Sequence, residues 1–211
     1  MSLSNLPGMS NLQLTVQSGD ALDVREFSVE EGLSRPFDVR IVAVSANPNV
    51  DFEGAIGKAA TFEVRRASSQ GGPPRTWAGV CASCELVGVE EKGLSTYALR
   101  IVPTLWLLTQ RRNYRVFQDK SELDIVLEVL ASWGISPDLE LDAASYPKRR
   151  FRVQYAETDF AFVSRLLEDI GVTYHFEPGG AANLVLVDAP NHRAPRLGIV
   201  GGGVEPRCER P

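Results

Sequence analysis

The chain has 211 residues, 44% of them hydrophobic and 23% charged, with 22 basic against 27 acidic side chains and a formal net charge of −5. That balance suits one large or two small cores, excludes wholesale disorder, and offers no general attraction to nucleic acid or to an anionic membrane. The opening MSLSNLPGMSNLQLTV lacks the basic lead and apolar run of a signal peptide, no stretch is apolar enough to insert stably in a membrane, and three cysteines make no even disulfide framework. Synthesis in a reducing compartment is the expectation.

The first hundred-odd residues read as strand after strand. NLQLTVQ (11–17), FDVRIVAVS (37–45), ATFEVRR (60–66), TWAGVCASCELVGVE (76–90) and LSTYALRIV (94–102) alternate or are rich in β-branched residues. Ser18-Gly19-Asp20, Asn47-Pro48-Asn49, SSQGGPPR (68–75) and Lys92-Gly93 supply the turns. Short strands at this spacing predict an antiparallel β-barrel over residues 1–118.

After Gln118 the period changes. SELDIVLEVLASWG carries Ser121 as a cap, Asp124 three residues on, apolar residues at helical spacing, and Gly134 as terminator. YPKRRFRVQY follows as a strand. In YAETDFAFVSRLLEDIG, Phe160, Phe162, Val163, Leu166, Leu167 and Ile170 share one helical face. Thr158 caps its start, Asp159 suits the first turn, and Gly171 closes it. VTYHFE then alternates with Val172, Tyr174 and Phe176 on one face, and NLVLVD adds a strand. Residues 119–189 therefore read as an α+β subdomain, a smaller β-rich layer with two helices. Residues 190–211, loaded with Gly and Pro, read as a flexible tail.

Few residue groups suggest chemistry. Cys81 and Cys84 form a CxxC, as in a redox pair or half a zinc site. In a strand, an offset of three sends them to opposite faces, Cys84 inward with Val80, Ala82 and Leu86, and Cys81 outward with Trp77, Ser83 and Glu85. His175 and His192 lie in no nucleophile or metal motif, and Glu90-Glu91 and Glu168-Asp169 read as wet surface. The Gly-rich run 201–203 follows no clear strand and opens no helix, so it reads as linker. RRNYRVF (111–117) and KRRFRVQY (148–155) interleave arginines with aromatics, a pattern that can stack single-stranded nucleic acid. Alternation equally lets Tyr114 or Phe151 pack inward while arginines line an outer face or meet a partner protein.

Taken together, FSVEEGLSRPFDVRIVAVS, the Trp77–Val89 strand, GLSTYALRIVPTLWLLTQRRNYRVFQDKS and FRVQYAETDFAFVSRLLEDIGVTYHFEP resemble the N-terminal part of VgrG proteins over residues 10–188. VgrG is the spike or tip protein of the bacterial type VI secretion system. The resemblance implies a phage tail-hub-like fold and a structural role with no catalytic residues, cofactor or metal. It further implies a homotrimer that adapts a six-fold tail tube to a three-fold, membrane-puncturing spike. Expected partners are an Hcp-like tube protein, baseplate components and an effector. The chain is expected to be made in the bacterial cytoplasm, assembled into the apparatus and secreted. Family members continue into a second hub barrel, an OB-like domain and a β-helical needle, so a chain ending at Pro211 reads as a fragment or a truncated member. Two alternatives stand beside this: a baseplate hub of a phage or phage-derived particle, and a small metal or redox module built on Cys81 and Cys84.

Overall fold

A computed structural model describes residues 11–65, 74–89, 93–177 and 183–188. Period-two alternation builds its first half. Strands β1 (Leu12–Val16), β2 (Asp23–Gly32), β3 (Arg35–Ser45), β4 (Ala59–Val64), β5 (Arg75–Val89) and β6 (Ser95–Val102) form one antiparallel sheet in the order β1-β4-β5-β6-β3-β2. On β3 every second residue, Phe37, Val39, Ile41 and Ala43, is buried, and β6 answers with Tyr97, Leu99 and Ile101. Residue 41 stands opposite Leu99 and residue 39 opposite Ile101, so the apolar rows of the two strands coincide. The sheet curls into a half-barrel around this cluster. Val16 and the partly buried Leu12 and Leu14 on one margin share it with Val24 and Val29 on the other. Strand β2 was absent from the sequence reading. Its DVREFSVEEG is acidic, and eight of its ten residues are exposed, so no apolar row announces it.

A one-turn helix, α1 (Phe52–Ala55), is capped by Asp51, whose Oδ1 accepts from the Gly54 amide at 3.0 Å. The segment after it clamps β5: the Gly57 amide donates to the Cys81 carbonyl at 2.8 Å, and the Cys81 amide to the Lys58 carbonyl at 2.9 Å.

The second half begins at a 3₁₀ segment, Thr104–Gln110, which sends Leu105 and Leu108 into a separate apolar cluster. Strand β7 (Arg112–Lys120) follows, then α2 (Glu122–Ala131), β8 (Asp138–Glu140), β9 (Arg149–Thr158), α3 (Asp159–Asp169), β10 (Thr173–Glu177) and β11 (Asn183–Val187). Both helices start as their sequences predict. Ser121 and Asp124 close a reciprocal capping box, and the Thr158 side chain accepts from the Ala161 amide at 3.1 Å. Gly134 and Gly171 end the helices at φ near +70°, where a side chain is strained. Strands β7 and β9 pair only with each other among the described residues, while β10, β11 and β8 form a three-stranded sheet. The helices pack between these two small sheets, with Phe117 stacked on Phe162 at 5.7 Å and Leu123, Ile125, Leu130 and Leu166 fully buried.

The two halves meet at the β2–β3 turn. The Ser34 amide donates to the Tyr174 carbonyl at 2.8 Å, and the Phe37 and Phe176 rings meet edge-on at 5.3 Å. Phe176 borders both clusters. The expected tail, residues 190–211, lies outside the described residues, as do His192, Glu90 and Glu91.

Candidate functional site

The CxxC does not split across the sheet as its spacing suggests. Cys81 pairs with Ile101 and Ser83 with Arg100, so Ala82 is an extra residue that reverses the alternation between the two cysteines. Both thiols consequently point into the half-barrel core, 0% and 7% exposed, and Trp77 is buried while Leu86 is exposed. The Cys81 thiol donates to the Ser83 carbonyl at 3.2 Å. Burial pushes both thiols upward; for Cys84, burial and then the neighbouring Cys81, Asp20 and Glu85 raise it to about 11. Such thiols stay protonated at neutral pH, which makes them poor nucleophiles and poor ligands. Among the described residues, no three His, Cys, Asp or Glu side chains stand close enough to hold a metal ion.

His175 sits on β10 beside a cleft of about 230 Å³ between the halves, lined also by Glu31, Arg35, Arg75, Trp77 and Glu177. Two of the cleft's charges serve the fold. Arg75 pairs with Glu31 and lies 5.0 Å above the Trp77 ring, whose Nε1–H donates to Glu31 at 3.0 Å. Asp169, on the exposed side of α3, stands 3.7 Å from Arg152.

The basic-aromatic pattern of β7 and β9 is oriented opposite to the expected packing. Arg115, Arg152 and Gln154 turn inward, whereas Tyr114, Phe151 and Tyr155 are 70%, 60% and 76% exposed, with Val116 and Val153 between them. Two buried carboxylates explain the inversion. Asp159, 0% exposed, accepts from Arg111 Nη2 at 2.7 Å, Arg111 Nε at 2.9 Å, Asn113 Nδ2 at 2.7 Å, Gln154 Nε2 at 2.8 Å and Trp133 Nε1 at 2.9 Å, with Arg115 at 3.3 Å. Arg111 also lies 4.4 Å over the Trp133 ring. Burial alone would raise the Asp159 pKa. The donations from Gln154, Asn113, Trp133 and Arg111 outweigh it and hold the carboxyl at about 2.

The second carboxylate, Glu122, is also fully buried, in the first turn of α2. Arg149 and Arg152 each donate an Nε–H to its Oε1 at 2.9 Å. Burial opposes its ionisation, but Arg152 and Arg149 keep its pKa below the ordinary value. Between them the two carboxylates consume the inward arginines and staple the ribbon onto both helix starts. Neither lines the two clefts bordered by Phe37 and by Ile41, and both hold the ribbon to the helices. The sequence reading missed both as buried groups; the one signal was a pair of arginine-rich strands flanking two helices that each open with an acid.

The outer face of the ribbon is left with five large apolar side chains in one stripe. Tyr114 and Tyr155 stand directly opposite each other, their rings edge-on at 5.3 Å. All five are exposed and stand in adjacent cross-strand pairs. The stripe is suited to contact, not to catalysis.

Residues 30–203 match the family model of the phage tail baseplate hub (GPD). Two type VI secretion system spike proteins of Pseudomonas aeruginosa are similar in sequence: VgrG1b, 33% identical over 178 residues, and VgrG1a, 35% identical over 180. Each alignment covers 83% of this chain but only 24% and 27% of the relative, so the chain spans about a quarter of the length of the relatives it matches. Among solved structures, the E. coli c3393 protein superposes with a TM-score of 0.72 at 24% identity, over 83% of this chain and 49% of that one. It is described as a type VI secretion component structurally similar to T4 phage tail proteins gp27 and gp5. The prophage MuSo2 43 kDa tail protein of Shewanella oneidensis superposes at 0.59 with 16% identity, over 84% and 55%. The half-barrel, the helix-bearing layer and the matched span agree: the chain belongs to the phage tail baseplate hub (GPD) family.

Proposed function

We propose that this chain is a structural, non-enzymatic hub element of a type VI secretion spike. It trimerises and forms a stiff collar between a six-fold tube and a three-fold spike. The observation that carries this is the hub-family match over residues 30–203 joined to spike-protein relatives above 30% identity. The physical design is consistent with load-bearing. Two apolar cores share Phe176, and the inward arginines of the β7–β9 ribbon are spent on the Asp159 and Glu122 staples. We place the division between the two units near Pro103, ahead of the earlier expectation at 118, because Leu105, Leu108 and Phe117 pack with the helices. The expected partners are a tube protein, baseplate components and an effector. For comparison, a Francisella VgrG has been solved in complex with PdpA. Synthesis in the bacterial cytoplasm and export through the apparatus follow from the same reading.

The test is a chimera in which residues 30–188 replace the matching segment of the Pseudomonas VgrG1a protein. Retained release of the chimera by the type VI apparatus is the expected result; a folded chimera that is never released refutes the reading. A phage-derived injection particle is the second reading, favoured by the prophage tail-protein likeness. Sheath, tube and secretion-ATPase genes beside this one separate the two.

A further inference from the structure

The cleft beside His175 is a place where the large sheet lacks a strand. Strand β6 runs between β5 and β3, and its last pairs are Val102 with Val80 and Ile101 with Val39. At Pro103 the chain turns away into the 3₁₀ segment, and the Val102 carbonyl lies so close to Gly79 that a Cβ there would collide with it. Beyond that point β5 continues back to Arg75 and β3 back to Arg35, with no strand between them among the described residues. Both extensions line the cleft. Because β6 holds β5 and β3 two strand spacings apart, the gap begins one strand wide, and the backbone groups along its two edges lack a ladder partner among the described residues.

Size and walls select the occupant. About 230 Å³ falls short of the ~300–1,000 Å³ of sites for drug-sized ligands, which suits a narrow chain better than a bulky molecule. Arg35 and Phe37 stand two residues apart on β3 and both line the cleft, with Trp77 on the facing strand. Arg75 is committed to Glu31, whereas Arg35 has no ion-pair partner among the described residues. Two glutamates in the lining, Glu31 and Glu177, disfavour a polyphosphate or a nucleic acid. An extended segment lying along β3 carries its same-face side chains two residues apart, which sets one against Phe37 and Trp77 and the next beside Arg35. The chain's own tail lacks the matching pattern. Residues 189–204 contain no acid, and neither Glu205 nor Glu209 has a large apolar residue two places away.

We propose that this slot binds an extended segment of another polypeptide by strand addition, a segment that carries an apolar side chain and, two residues along, an acidic one. The apolar side chain packs on Phe37 and Trp77, the acid meets Arg35, and the backbone pairs with the open edges of β3 and β5. The inference goes beyond the hub reading and does not depend on it.

The probes are fluorescein-labelled, end-blocked heptapeptides of threonine and serine that carry Val, Ile, Leu, Phe or Tyr at one position and Glu two places on. Anisotropy titrations against the full chain should show saturable binding by members of this set. Replacing the Glu of the best binder by Gln should weaken it on the order of tenfold. A proline between the two key residues should abolish binding, since a strand paired on both edges needs every N–H. Arg35→Glu should lose the Glu peptide and gain its Lys counterpart. That side chain is exposed, so the variant keeps the fold, and the gained ligand verifies it. No binding by any member up to about 1 mM overturns the proposal. So does binding that ignores Arg35→Glu or tolerates the proline. Preference for a peptide of residues 196–202 over the whole set gives the slot to the chain's own tail, and concentration-dependent dimers that the peptides dissolve give it to a second copy; either result overturns the proposal.

Discussion

Replacing Asp159 by alanine removes the acceptor for Arg111, Asn113, Trp133, Gln154 and Arg115 at once. The Asp159 and Gln154 side chains are fully buried, whereas Arg111 and Arg115 are partly exposed and can turn to water, so the loss falls mainly on Gln154, Asn113 and Trp133. Losing these bonds to a charged acceptor costs about 2–3 kcal/mol, which in a chain of this size lowers the melting temperature by about 8 °C. The pH dependence is a second, independent reading. The carboxyl titrates at about 2 in the fold against an ordinary 3.8, so its contribution is complete above pH ~4 and is lost as the pH falls toward ~2. That gap corresponds to about 2 kcal/mol. Urea unfolding followed by far-ultraviolet circular dichroism, which reports the two helices above this site, measures both. Asp159→Asn should lose nearly as much at pH 7 as Asp159→Ala, and both variants should show a flatter acid limb than the wild type. A loss below about 1 kcal/mol at pH 7, or an acid limb as steep as the wild type's, would refute the account of Asp159 as the ribbon's staple.

Gly79→Ala should destabilise by about 2 kcal/mol or more, because an added Cβ collides with the Val102 carbonyl, a backbone group that cannot turn aside; chemical denaturation checks it. In a Cys208→Ser background, Cys81 and Cys84 should resist a thiol reagent at neutral pH in the folded chain and react fully in denaturant, and rapid native labelling would contradict their burial. Ser121→Ala should cost about 1 kcal/mol, and Asp124→Ala on top of it should add little, since the two residues form one reciprocal cap. Thermal melts of the single and double variants measure that coupling.

Where burial is one-sided and the element long, the sequence carried its own answer. The apolar face of α3, the caps at Ser121 and Thr158, and the β3 and β6 rows are all set by periodicity and local hydrogen bonds. Other features depend on residues distant in the chain. The Ala82 bulge is invisible to a period-two count, and one extra residue moved Cys81 from solvent to core. On β7 the apolar residues split, Phe117 on one face and Tyr114 and Val116 on the other, so alternation fixes two rows but not which row is inside. That choice falls to Asp159 and Glu122, which draw the arginine row inward and leave the tyrosines wet. Asp159 itself reads as an ordinary first-turn acid until its five partners, three of them more than 40 residues away, are brought together.

The junction at Ser34 and Phe176 bears on how the chain behaves under push. A flexible strap between the two halves would let a shove on one be absorbed by swinging. Here the bond from Ser34 to the Tyr174 backbone and the Phe37–Phe176 ring contact hold turn against strand, so swinging the halves apart would have to break both. The two cores therefore abut through a direct bond and a ring contact, and are not joined by covalent connection alone.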